Sequence, residues 1–158
     1  MNEHMTPTVE DLREIADQVW KAYLDPEGVR PLIQVDTAVT GTEVSASVSL
    51  TGAWDGHVLV SCSNAAAREA AAAFLGMEPA EVTEEDLTDV MGELANIVGG
   101  NVKSMLPPNT AVSLPHVVTG SANRFPMTRQ IAELAGTWID QPFSITMWQS
   151  SELAEVPA

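Results

Sequence analysis

An α+β fold with one mainly antiparallel sheet, two long helices and a further N-terminal helix is predicted for this 158-residue chain by three observations. Several short runs alternate apolar and polar residues in the period-two manner of half-buried strands. Two long segments between them, Asn64 to Leu75 and Thr83 to Leu106, carry helical spacing instead. Turn signals that suit antiparallel hairpins join neighbouring strand runs. The length is that of one ordinary domain. It divides into an N-terminal helix over 8–25, a core over 29–149 and a flexible tail over 150–158.

Thr8 can cap the first helix, because Asp11 stands at the position for reciprocal capping and Leu12, Ile15, Ala16, Val19 and Tyr23 follow at helical spacing. Asp25-Pro26-Glu27-Gly28 stops it. Strands are expected from Leu32 to Val39 and from Val44 to Leu50. In the second, Val44, Ala46, Val48 and Leu50 share one face and Ser45, Ser47 and Ser49 the other. The Asp55-Gly56 pair predicts a tight hairpin that returns as a strand through Cys62. Asn64 then opens an alanine-rich helix ended by Gly76. Thr83 and Asp86 form a second capping pair, and Pro107-Pro108 closes the helix that follows. Ala111 to Thr119 reads as a strand interrupted at Pro115, 124–129 as loop, and Gln130 to Ile139 with Phe143 to Gln149 as a hairpin around Asp140-Gln141-Pro142.

Composition narrows the function. Seven basic against 22 acidic residues give a formal charge of −15, which repels phosphate backbones, so no nucleic-acid partner is expected. No stretch approaches the roughly 18 apolar residues of a membrane span, and the acidic, polar Met1-Asn2-Glu3-His4 lacks the features of a secretory signal, so a cytoplasmic protein without a membrane partner is expected. Cys62 is the single cysteine and lies in an apolar run, as a core residue would. His4, His57 and His116 are scattered without ligand spacing, which sets aside a metal-dependent hydrolase.

The helix from Thr83 carries the strongest signal. Winding at about 100° per residue gathers Leu87, Met91, Leu94, Val98, Val102 and Met105 into one stripe, with Val90 and Ile97 at its margin. Asp89, Glu93, Asn96, Gly100 and Lys103 fall on the opposite side. Gly92, Gly99 and Gly100 interrupt good helix formers at a cost of about 1 kcal/mol each, which suggests that another surface comes very close. Exposed polar residues are usually solvation, and glycines can serve internal packing, so spacing alone leaves both readings open.

Glu93-Leu-Ala-Asn96-Ile-Val-Gly-Gly-Asn101-Val-Lys103, preceded by Asp89 and followed by Ser113-Leu114-Pro115, resembles the signature of the CheX, CheC and FliY chemotaxis phosphatases. The likeness covers roughly Val29 to Trp148 and implies a CheX/CheC-like sheet packed against its helices. It also implies that the chain dephosphorylates the aspartyl phosphate of a CheY-like response-regulator receiver. Asn96 would hold a water in line with phosphorus and Glu93 would pair with the receiver's lysine. Asp89, Gly92, Gly99, Gly100 and Lys103 would help to dock the partner. No cofactor of the chain's own is implied, since Mg2+ would come with the receiver. The helix from Asn64 holds no second Glu-x-x-Asn, which matches the single-site CheX form. CheX-type proteins resemble homodimers joined through their sheets, and Trp138, Phe143, Ile145 and Trp148 would suit either such an edge or the monomer's core. A receiver-binding adaptor without activity, or a flagellar-switch-like structural module, are the competing readings.

Overall fold

The computed structural model describes residues 6–120 and 125–151. In chain order it contains α1 (Val9–Val19), β1 (Ile33–Gln34), β2 (Val44–Gly52), β3 (Gly56–Cys62), α2 (Asn64–Leu75), α3 (Glu84–Lys103), β4 (Thr110–Val112), β5 (His116–Thr119), β6 (Thr128–Trp138) and β7 (Gln141–Ser150). The strands form one seven-stranded sheet in the order β1-β6-β7-β3-β2-β4, with β5 also paired to β2. Every pairing is antiparallel. No helix among the described residues is long and apolar enough to cross a membrane.

Strand alternation decides which face of the sheet is buried. Val44, Ala46, Val48 and Leu50 of β2 meet Val58, Val60 and Cys62 of β3 and Phe143, Ile145 and Met147 of β7 in one core. Leu12 and Ile15 of α1, Ala66 and Ala70 of α2 and Leu87, Met91, Leu94 and Val98 of α3 join it. Alanines on α2 let that helix lie close to its neighbours. Capping follows the sequence: Thr8 with Asp11 and Thr83 with Asp86 each form a reciprocal box, and Gly76 ends α2 at φ 70°. Cys62 is fully buried, with its Sγ 3.9 Å from Met91 Sδ, and burial pushes its thiol pKa up.

Several details differ from the sequence reading. Only α3 is long, at 20 residues, against 12 for α2. The N-terminal helix finishes in a π-turn over Trp20–Leu24 before Asp25, whose carboxylate accepts the Val29 and Arg30 amides and so ties the turn that follows. The strand expected over 32–39 shrinks to Ile33–Gln34, which among the described residues is an edge segment paired with β6 alone, and Ile33 is exposed. The 53–56 turn is real, but Gly52, at φ 113°, is its left-handed residue rather than Gly56. Gly56 lies in the ladder, where a Cβ would strike the Trp148 carbonyl and the Trp54 ring.

The closing hairpin turns on Ile139 and Asp140, both at positive φ, and Pro142 lies within β7 opposite Thr137, not in the turn. Strand β6 begins at Thr128, inside the stretch read as loop. Trp138, Phe143 and Ile145 belong to the monomer's core, so only Trp148 is left of the aromatic edge considered for self-association. Trp20 stands edge-on to the rings of Trp138 and Phe143, at 5.7 and 5.0 Å. Ser150 completes β7, and the rest of the expected tail lies, apart from Ser151, outside the described residues.

Candidate functional site

Helix α3 rests its apolar stripe on β2 and β3 and turns its other side outward. Leu87, Val90, Met91, Leu94, Ala95, Val98 and Val102 are buried. Asp89, Glu93, Asn96, Gly100 and Lys103 are all exposed, as the winding of the sequence requires. Met105 lies past the end of the helix at Lys103 and only borders the core.

The polar residues of this surface are not consumed by the protein itself. Among the described residues, neither Glu93 nor Asn96 makes a side-chain hydrogen bond or ion pair, and the three ion pairs found lie elsewhere, at Arg13–Asp17, Arg30–Glu69 and Arg68–Glu84. Asn101 on the same helix behaves differently, since its Nδ2 donates to the Ile97 carbonyl at 2.9 Å. Among the described residues both amide functions of Asn96 stay without a partner. Glu85, Asp89 and Glu93 follow one another at intervals of four residues and are all exposed. Such like-charged neighbours oppose the helix by about 0.2–0.5 kcal/mol per pair. Lys103 does not relieve them, because glycines occupy the positions three and four residues before it. The ladder therefore presents uncompensated negative charge that a cationic side chain of a partner would neutralise.

The three glycines divide into two kinds. A Cβ on Gly99 would lie 2.5 Å from Val48 Cγ2, and one on Gly92 would lie 3.4 Å from Pro115 Cγ. Both residues are buried, so the close surface predicted for them is the protein's own sheet and the β4–β5 connection, not a partner. Gly100 is exposed with nothing near its missing Cβ, and it alone leaves bare backbone beside Asn96 and Glu93.

Sequence reasoning assigned Leu114 to an interrupted strand and Pro115 to shaping it. The structure gives that connection a place in the site. Pro115 leans on Gly92, directly before Glu93 in the helix. At about 100° per residue, Asn96 stands on the flank of the exposed face nearer Gly92 and Gly99, with Glu93 on the far flank. The signal that could have revealed this is Gly92 itself, a small residue where the helix must admit another segment.

The arrangement is an amide and a carboxylate on a convex, solvent-facing helix. Among the described residues no group of three or more His, Cys, Asp or Glu is placed to hold a metal ion. A surface of this kind can insert side chains into another protein's site.

Residues 44–133 match the model of a family described as chemotaxis phosphatase CheX. No curated protein matches the chain by sequence. Among solved structures, chemotaxis protein CheX from Vibrio vulnificus superposes with a TM-score of 0.72 at 20% identity, over 93% of this chain and 98% of that one. A CheC-like superfamily protein from Shewanella sp. PV-4 gives 0.69 at 20% identity, over 94% and 98%. The CheX–CheY–BeF3–Mg2+ complex from Borrelia burgdorferi gives 0.68 at 16% identity, over 92% and 100%.

Proposed function

Since the chain belongs to the CheX family of chemotaxis phosphatases, we propose that it hydrolyses the aspartyl phosphate of a CheY-like receiver domain by inserting Asn96 and Glu93 into the receiver's own site. The observation that carries this reading is the pair itself: both side chains stand exposed one turn apart on α3, with no side-chain hydrogen bond or ion pair among the described residues. A relative crystallised with CheY, BeF3 and Mg2+ supports the choice of partner.

The chemistry divides between two proteins. The receiver supplies the phosphorylated aspartate and its Mg2+. The Asn96 amide accepts a hydrogen bond from a water molecule and donates one to stabilise its position, so that the water oxygen faces phosphorus opposite the acyl oxygen. A P–O bond forms to water as the P–O bond to the aspartyl oxygen breaks. The receiver's carboxylate leaves, inorganic phosphate is released and the water's surplus proton passes to solvent. An amide suits this task because it orients water without competing as a nucleophile, and orientation alone can lower a barrier by several kcal/mol. Glu93, at the head of an uncompensated acidic ladder, pairs with a lysine of the receiver and fixes the dock. Asp89 adds to the same field. Gly100 leaves room for the receiver's backbone, and Lys103 faces an acidic group at its rim.

The test mixes the purified protein with CheY-type receivers phosphorylated by acetyl phosphate and follows loss of the phosphoryl group. N96A is expected to lower turnover at least a hundredfold while binding to a BeF3-charged receiver persists. E93A is expected to weaken that binding. Binding without turnover by the wild type would instead make the protein an adaptor, and full activity in N96A would overturn the role given to that residue.

A further inference from the structure

We propose that Leu114 is an apolar anchor for the receiver, presented beside Asn96 by a clamped loop; the inference rests on the receiver-phosphatase reading and adds to it a residue that governs affinity, not chemistry. Leu114 is 88% exposed, more than any other large hydrophobic residue of the described chain. An isolated exposed leucine in a mobile loop would need no explanation. This one is held on both sides.

Ser113 is fixed to β2 through two contacts: its amide donates to the Ser49 carbonyl at 2.9 Å, and its Oγ accepts the Ser49 amide at 2.9 Å. The same hydroxyl donates to the Leu114 carbonyl at 2.9 Å. On the other side Pro115, with its φ restricted by the ring, packs over Gly92, and His116 returns to the ladder opposite Ser47. Between these anchors the Leu114 side chain is directed to solvent. Because the backbone on either side is already held, burying Leu114 costs only the rotamer freedom of one side chain, with no loop to order.

Position and charge select the occupant. The loop borders α3 at Gly92, on the flank of the exposed face that carries Asn96, which brings it within reach of a protein that engages Asn96. The chain carries a formal charge of −15 and its docking helix an acidic ladder, so long-range attraction to an anionic phosphoprotein is absent. Short-range apolar burial supplies what charge does not. Contact with Leu114 therefore sets how much receiver is needed and is insensitive to salt.

The experiment measures dephosphorylation of an acetyl-phosphate-charged CheY-type receiver against receiver concentration, for wild type, L114S and L114M, at about 0.05 and 0.5 M NaCl, between which the Debye length falls about threefold. L114S is expected to raise KM about tenfold with kcat within about twofold and with the same ratio at both salt concentrations, as loss of one buried leucine contact predicts. L114M restores the wild-type KM. Circular dichroism of L114S should match the wild type, since the side chain is exposed. Unchanged KM in L114S while the wild type is active overturns the anchor and leaves the phosphatase reading intact. A wild type that neither binds nor dephosphorylates any receiver overturns both. A change in sedimentation of L114S with unaltered KM would assign Leu114 to contact with a second copy, and so also overturn the proposal.

Discussion

At the scale of single residues, Gly99 and Gly100 are neighbours in sequence with opposite surroundings, and the difference can be measured. A methyl group on Gly100 meets nothing, so G100A should gain about 0.5–1 kcal/mol from reduced backbone freedom in the unfolded chain. A methyl group on Gly99 meets Val48 Cγ2, a branched side chain with little freedom to withdraw, so overpacking of about 1–3 kcal/mol outweighs the helical gain. Urea denaturation should rank G100A above the wild type and G99A below it. Under the proposed function G100A also loses phosphatase activity as it gains stability, because the backbone it covers is what the receiver approaches. The sequence could count these glycines but not sort them. Winding identifies the outer face of a helix, whereas which strand or loop presses on its margins depends on contacts across the chain.

At the scale of elements, α3 was the most legible part of the molecule. Its capping box, its apolar stripe and its polar face follow from local spacing alone, and the structure keeps each apart from Met105, which lies past the helix end. The Thr83 box closes the positive end of a helix whose exposed face is otherwise self-repelling. T83A should therefore cost about 1 kcal/mol, read as a lowered urea midpoint with an unchanged slope. Elements defined by long-range pairing were less legible. Ile33–Gln34 is a strand only because β6 lies beside it; the Val35 amide still donates to Ala135 of β6 at 2.9 Å, but residues 36–39 belong to no strand. Pro142 reads as a turn residue, yet Ile139 and Asp140 take the left-handed conformations of the turn and Pro142 falls into the strand. The interruption at Pro115 was readable; that it would carry an exposed leucine to the edge of the site was not.

At the scale of the whole molecule, the sheet's alternation and the three helices' apolar faces give one core that joins all the helices to one side of the sheet. This much of the architecture was predictable, because binary patterning has to agree with the face that is buried. The aromatic residues were not placed by pattern: Trp138 and Phe143 suit a core as well as an interface, and only the edge-on packing with Trp20 decides for the core.

The packing of Cys62 against Met91 also makes the molecule its own reporter. The thiol is the chain's single one, fully buried at the seam between β3 and α3, and its raised pKa leaves almost no thiolate at neutral pH. A thiol reagent can reach it only when the core that α3 helps to close opens. Labelling at pH 7 should thus be negligible in the native state and, with reagent in excess, should proceed at the opening rate of that seam. Under the proposed function a bound receiver, by stabilising the closed form, should slow the reaction, so one sulfur atom would time the opening of the core beneath α3 without any added probe.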